Sequence, residues 1–415
     1  MTKRIAVIGS GISGLVSAYL LSDRYDVSLF EANDYLGGHT NTVSVDVEDK
    51  HYAIDTGFIV FNKRTYPNFC NLIEKLNIQI QLSEMSFSYC SLNHDFEYNG
   101  HSLNTLFSDR RHLFNLNFYR FIREILLFNR DAKKFLLRPQ HADISINEFL
   151  RQHQYSAQFI ECYFIPMMSA IWSKNKADTL NCSAYFVFKF YANHGLLDLS
   201  NRPPWYVISQ GSKNYIPPLV EKFKDRIYLN TKIEAIERKA DHVVLKSASD
   251  KLIFDRVVIA AHSDQALKLL EQPTENEINV LSAIQYIEND VILHTDEQVM
   301  PKRKLSWASW NYLDNGSELP SLTYYMNRLQ SIDSKTNFFV SMNLSGTINS
   351  NNILRRFRYA HPCLDLKAIE AQQQANVITG INNTYYVGSY WGYGFHEDGV
   401  NSAMRICRMI EETDV

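Results

Sequence analysis

Along the first sixty residues the apolar positions change their period three times. Residues 4–8 (RIAVI) are a continuous apolar run closed by Gly9, Leu15, Ala18, Tyr19 and Leu21 then recur at helical spacing, and residues 27–31 (VSLFE) are apolar again. That order predicts one strand–helix–strand unit. Residues 43–58 (VSVDVEDKHYAIDTGF) alternate and are dense in β-branched residues, which predicts strands that extend the same sheet and end in a turn at Asp55–Gly57. From about residue 66 to 200 the pattern lengthens into aromatic-rich helical stretches, interrupted by a hairpin around Ile78–Tyr98. Residues 205–262 then return to a mixed pattern. They predict a helix near Tyr215–Phe223, a strand over 227–238 (IYLNTKIEAIER), a hairpin, and a buried strand at 256–261 (RVVIAA).

Between residues 275 and 345 four alternating stretches (NDVILHTD, LSWASWNYL, SLTYYMNRL, NFFVSMNL) predict a second sheet without helical crossovers. The chain closes with a strand, a glycine- and aromatic-rich turn and a terminal helix. At 415 residues it is too long for one ordinary core. The expected fold class is α/β: a discontinuous Rossmann-like domain made of residues 1–65, 205–270 and 350–415. The intervening 66–204 and 271–349 are expected to form a second, substrate-binding domain, a helical lobe inserted beside a mixed sheet.

The chemistry begins at the first turn. Gly9, Gly11 and Gly14 give G-x-G-x-x-G between a strand and a helix. Gly9 permits the tight turn, Gly11 lets a pyrophosphate approach the backbone, and Gly14 lets helix and strand pack closely. The amides of Ile12, Ser13 and Gly14 then face the anion at the positive end of the helix. Glu31 ends the next strand, where a carboxylate can accept hydrogen bonds from ribose hydroxyls and would repel a 2′-phosphate. A bare glycine motif is weak evidence, but strand, helix, second strand and terminal acid in register make it specific for a dinucleotide.

Glu31 is followed by Gly37, Gly38, His39 and Thr40, and this E-x-x-x-x-x-G-G segment resembles the second FAD fingerprint of flavin amine oxidases, phytoene desaturases and protoporphyrinogen oxidases. Longer stretches, among them DTGFIVFNKRTYPN at 55–68, IPMMSAIWS at 165–173, NHGLL at 193–197 and GYGFHEDG at 392–399, resemble a bacterial subfamily of predicted NAD/FAD-binding proteins within that superfamily. The resemblance implies an FAD-dependent oxidoreductase with an amine-oxidase-like fold. It implies further that Gly57 and Phe58 lie near the flavin, that the backbone of Ile233 meets the adenine, and that Gly388 approaches the ribityl chain or pyrophosphate. Gly399 and Val400 would open a helix whose amides stabilise negative charge on the reduced ring. Two positions depart from the pattern: His39 stands where most members carry arginine, giving a weaker and titratable cationic contact, and Ser389 stands where most carry an acid.

A bound flavin would accept a hydride at N5, leaving the protein to orient the substrate and tune charge. In the turn expected beside the ring, Trp391 and Tyr393 are candidates for an aromatic wall and His396 for moving a proton at neutral pH. Read blandly, these aromatics are packing, and Glu397 and Asp398 cap the helix. Trp172, His194, Trp310 and one of Tyr324 and Tyr325 are further candidates for the cavity face, or else core residues.

Composition narrows the partners. The net charge of −3 offers no field for a nucleic-acid backbone, and six cysteines without a C-x-x-C pair predict neither a metal site nor disulfides. No signal-peptide pattern or membrane-spanning run is present, so a cytoplasmic enzyme is expected. Residues 110–138 hold eight Lys or Arg interleaved with apolar residues. Such a helix suits peripheral contact with the inner face of an anionic membrane, or is the solvated side of a lobe helix. The expected reaction is hydride transfer from an apolar, fatty-acyl or other lipid-derived small molecule. The alternatives are a peroxide-producing amine oxidase and a non-catalytic flavin-binding partner of a lipid-modifying enzyme.

Overall fold

A computed structural model describes residues 2–137, 144–200 and 202–414. The first unit forms as its pattern requires: β1 (Arg4–Ile8), α1 (Ile12–Leu21) and β2 (Asp26–Phe30). They sit in a five-stranded parallel sheet whose order is Ile227–Tyr228, β2, β1, Arg256–Ile259, Thr384–Tyr386. Side chains alternate along β1. Ile5 and Val7 pack under α1 and the terminal helix His396–Glu412, while Ala6 and Ile8 face Ile233, Ile236, Val243 and Leu245 of a three-stranded antiparallel sheet. Covering on both faces is why these strands read as unbroken apolar runs.

Several expected elements are rearranged. The strands Thr42–Val47 and Lys50–Asp55 pair only with each other, as a separate hairpin rather than an extension of the parallel sheet. Glu48 and Asp49 turn the corner with φ of 53° and 59°, the left-handed pair a two-residue hairpin loop needs. The single strand expected over 227–238 is two strands. At Asn230 the backbone turns to φ 51° and crosses from the parallel sheet, through Ile227–Tyr228, to the antiparallel one, beginning at Ile233.

The second sheet has seven strands in the order Ile353–Cys363, Gln285–His294, Phe339–Met342, Ser321–Tyr325, Trp310–Asp314, Phe87–Ser91, Phe96–Asn99. The hairpin Phe87–Asn99 is therefore the edge of this sheet and not an interruption within the helices. Strand Ile353–Cys363, inside the stretch 350–415 expected to belong to the nucleotide domain, pairs along its length with Gln285–His294. The chain rejoins the parallel sheet only at Thr384. Helices between Leu116 and Asn193 build the lobe around an aromatic core that includes Phe128, Phe149, Phe164 and Phe188. Among the described residues no helix is long and apolar enough to cross a membrane.

Candidate active site

The glycine turn is closed at both ends and open in the middle. A Cβ added at Gly9, whose φ is +99°, would come within 2.6 Å of Ala260 O, and one added at Gly14 would lie 2.0 Å from Gly9 O. At Gly11 nothing stands within 4 Å of that position. The first hydrogen bond of α1 runs from Leu15 N to Gly11 O (3.0 Å), which leaves the amides of Ile12, Ser13 and Gly14 outside the helical ladder. A second helix start meets this one: a Cβ on Gly399, beside the buried Val400, would fall 2.8 Å from both Ile12 Cγ2 and Ser13 Oγ.

Glu31 is held beside the turn by four donors. One carboxylate oxygen accepts from Ser10 N (2.9 Å) and Ser10 Oγ (2.6 Å), the other from Asn33 N (2.9 Å) and Asn33 Nδ2 (2.8 Å). Thr231 N donates to Glu31 O (2.8 Å), which brings the start of the Ile233 strand to the same edge. Gly37 N donates to Ser10 O (3.0 Å), and a Cβ on Gly38 would sit 3.3 Å from Gly11 Cα, so the two-glycine segment lies across the turn. Gly57 in turn is pressed on His39, where its Cβ would meet His39 O at 2.2 Å.

His39 is not a cationic contact. Its imidazole is half-buried beside His361 (ring centroids 5.6 Å) and His262 (6.3 Å), with Tyr359 at 4.9 Å. Burial, then the like charge of His361 and His262, lowers its pKa to about 3. His361 is lowered to about 4 and His262 is lowered as well, both chiefly by burial. At neutral pH the three rings are uncharged. Of the three only His39 is a candidate by sequence, because the other two are brought to it from segments distant in the chain.

The turn at 388–398 behaves differently from expectation at His396. That ring is buried, stacked on Phe58 at 3.5 Å, with Nε2 3.0 Å from Thr40 Oγ1 and 3.3 Å from Tyr215 Oη. Burial and the neighbouring His39 hold its pKa well below the ordinary imidazole value, so it does not exchange a proton near neutrality. Trp391 packs on Tyr390 (4.8 Å). Gly388 N donates to Ser402 Oγ (3.2 Å), and Ser389 O accepts from Gly392 N (3.1 Å) and Gly394 N (3.2 Å), closing the turn on itself.

Tyr393 is the candidate that reaches open space. With Phe395, His194 and Tyr66 it lines a cavity of about 580 Å³, to which Arg64, Glu397 and Asp398 also contribute. Behind this wall stand Phe186 and Phe190, 4.6 and 5.3 Å from the Tyr393 ring, and Trp172, whose Nε1 donates to Tyr393 O (3.1 Å). His194 stacks on Phe190 (3.8 Å), bonds Phe190 O through Nδ1, and is lowered by burial to about 4. Both carboxylates are engaged, but only Asp398 caps its own helix, accepting from Phe395 N (2.9 Å); Glu397, expected to cap the same helix, instead accepts from Asn68 N and Phe69 N at the start of the helix Pro67–Lys75. Of the sheet tyrosines, Tyr324 packs with Trp310 on the face shared with Tyr359, and Tyr325 stacks on Phe339 on the opposite side.

Residues 12–347 match the model of the flavin containing amine oxidoreductases. The chain belongs to this family. Cyclohexylamine oxidase from Brevibacterium oxydans IH-35A is similar over 100% of both chains, with TM-score 0.70 and 14% identity. A CLA-producing fatty acid isomerase from P. acnes is similar over 100% of this chain and 99% of its own, with TM-score 0.69 and 14% identity. At these identities the likeness is one of fold. A 1-hydroxycarotenoid 3,4-desaturase from Flavobacterium sp. (strain P99-3) is 36% identical over 88 residues, which are 21% of this chain and span only 16% of that protein's length.

This amine oxidoreductase is an FAD enzyme, and the residues around the turn fit the group. The space over Gly11, the amides of Ile12–Gly14 outside the helical ladder and the buried His39 Nε2, which has no hydrogen-bond partner, are the features a dinucleotide would complete.

One pH effect follows from the turn itself. Burial raises Asp398 to about 7 despite its backbone hydrogen bonds. The native carboxyl therefore keeps its proton where the unfolded one has lost it, and stability is lost as pH rises from about 4 to about 7, by roughly 2–4 kcal/mol. Asp398→Asn retains an acceptor for the Phe395 amide and is expected to flatten this dependence in urea titrations at pH 5 and pH 8. An unchanged slope would remove Asp398 as its source.

Proposed function

We propose that this enzyme oxidises or desaturates an apolar, lipid-derived substrate, with Gly9, Gly11, the amides of Ile12, Ser13 and Gly14, and Glu31 holding the adenosine diphosphate half of FAD. In this reading the two-glycine segment Gly37–Gly38, His39 and Thr40 border the diphosphate, and the backbone of Ile233 meets the adenine. Gly57, Phe58, Gly399 and Val400 would lie near the isoalloxazine, and Gly388 and Ser389 near the ribityl chain or diphosphate. When bound, FAD supplies a hydride acceptor at N5. Residues 66–204 and 271–349, with the strand Ile353–Cys363, supply the substrate side.

The observation that carries the substrate class is the aromatic side of the cavity, Tyr66, His194, Tyr393 and Phe395, which faces a polar rim with Arg64, Asn68, Asn193 and Asn401. Its histidine is neutral, and its two carboxylates are already turned to backbone amides, so no unengaged anion waits for an ammonium group. Tyr393 orients the substrate as part of that wall. The isomerase and desaturase among the similar proteins carry apolar substrates in their names, which agrees with this preference. Anaerobic titration of the yellow protein with an unsaturated fatty-acyl lipid is expected to bleach the flavin's visible band. Bleaching by simple amines with peroxide on re-aeration, and none by lipid, would replace this reading with amine oxidation.

A second feature supports a lipid source. In helix Leu116–Leu136 the carboxylates Glu124 and Asp131 accept from Ser156 and Tyr155 and pair with Arg120 and Arg130 of the same helix, while Lys133 pairs with Asp198. The outer face of the helix carries Leu116, Tyr119, Arg120, Arg123, Leu126, Arg130, Lys133 and Lys134, all exposed, with Phe114 just before it 91% exposed. Arg138, at the end of the basic stretch, lies outside the described residues. We propose that this face rests on an anionic bilayer. Flotation with phosphatidylglycerol vesicles at low salt is expected to carry the protein, and Arg123→Glu with Phe114→Ser to leave it behind. Equal flotation of the double variant would sink the idea.

A further inference from the structure

We propose that His39, His262 and His361 form an anion pocket that binds the diphosphate of FAD together with a proton, so that the enzyme's hold on its cofactor is tuned by pH. The inference rests on the placement of the diphosphate over Gly11 given above and goes beyond it.

Three independent segments deliver the rings to one place. His39 follows Gly38, whose backbone lies against Gly11. His262 follows the strand Arg256–Ile259, whose next residue, Ala260, is the surface on which Gly9 and Gly14 close. His361 arrives from Ile353–Cys363, the edge strand of the other sheet. The pocket thus closes only when both sheets are in place.

One polar atom of this group is buried and unpaired, and the others are held by fixed neighbours. Buried polar atoms nearly always have a partner, yet His39 Nε2 is buried without one. His361 Nδ1 lies 3.2 Å from Asn289 Nδ2, an obligate donor, which places the imidazole proton on Nε2. Ser173 Oγ lies 3.1 Å from the same Nδ1 and fixes the ring from a third side. His262 is stacked on Tyr286 at 4.3 Å.

The charges that face the cluster are few. Tyr359 and Tyr286 are both held in the neutral form by burial. Asp264 acts on His262 from the following helix, and His396 is coupled to His39 from the terminal helix. Burial keeps all three imidazoles uncharged, with repulsion from neighbouring rings adding to it at His39 and His361. A dianion placed among them reverses both effects, because an opposite charge within about 4–6 Å favours the protonated ring. Binding then draws a proton from solvent. An arginine at position 39 would give a fixed charge instead, with no such linkage.

The test is the pH dependence of cofactor affinity in the full-length protein. FAD binding is followed by quenching of flavin fluorescence from pH 5.5 to 8.5, and proton uptake by calorimetry in buffers of different ionisation enthalpy. The wild type is expected to bind FAD at least threefold more tightly at pH 6 than at pH 8, with fractional proton uptake. His39→Gln should weaken binding at pH 6 and flatten the profile, His262→Gln and His361→Gln should flatten it partly, and His39→Arg should bind with little pH dependence. Riboflavin, which lacks the diphosphate, should bind without proton uptake or not at all. A flat wild-type profile with no uptake, an undiminished profile in His39→Gln, or equal uptake with riboflavin would overturn the proposal. Failure to bind FAD at every pH would instead strike at the cofactor site on which it rests.

Discussion

Gly11→Val is expected to yield a folded, colourless protein. The added side chain enters the open space over the turn, and φ at Gly11 is −64°, which any residue adopts, so the fold meets no obstacle. What it fills is the approach proposed for the diphosphate. Flavin content per chain should fall at least tenfold, equivalent to about 1.4 kcal/mol or more of binding energy, while the thermal unfolding of the apoprotein stays within a few degrees of wild-type apoprotein. Gly14→Val, three residues away, should do the opposite. Its Cβ would stand 2.0 Å from Gly9 O, backbone that cannot yield, so loss of soluble protein is expected rather than selective loss of colour. A yellow Gly11→Val protein would show that the diphosphate does not pass over this residue, and a stable Gly14→Val protein would show that the turn is looser than its contacts imply.

Asp55→Ala should be among the most destabilising single changes. The carboxylate is fully buried and accepts from Thr42 Oγ1 (2.6 Å), Ser212 N (2.8 Å), Ser212 Oγ (2.8 Å) and Gln330 Nε2 (3.1 Å). These donors belong to the hairpin that leads to Gly57, to the segment before Tyr215, and to the mixed-sheet domain. Removing the acceptor leaves buried donors without partners, at a cost of about 3–5 kcal/mol. It also unties the two domains beside the proposed flavin wall. Urea unfolding should show the lower midpoint, and flavin retention should fall with it. Asp55→Asn, which keeps one acceptor oxygen, should recover part of the stability. Wild-type stability in the alanine variant would mean that the hub is dispensable.

Local and global information separate cleanly in this chain. The glycine turn was legible because its causes are local: an apolar strand, a positive-φ glycine and a helix start lie within eleven residues, and each leaves a mark on composition. The capping role of Asp398 is legible for the same reason, whereas Glu397 turns to the amides of Asn68 and Phe69 in a distant segment, a contact that no local pattern announces. Alternation marks Thr42–Asp55 as strands but not their sheet, since it reports one buried face and does not name the partner that buries it.

The site residues divide along the same line. An imidazole in a glycine-rich turn is free to titrate until something covers it, which is why His396 reads as a proton carrier. Phe58, Thr40 and Tyr215 cover it, and they reach it from three other segments. The importance of His262, His361 and Asp55 arises where the two sheets meet, whatever stretch of sequence carries them. By itself the sequence determined the dinucleotide turn and, through its resemblance, the family and FAD, because short-range sterics and a chain-long pattern are written residue by residue. Only the tertiary structure decided which imidazoles are neutral, which tyrosine reaches the cavity and which carboxylates are already used, because burial and long-range contact set protonation and access.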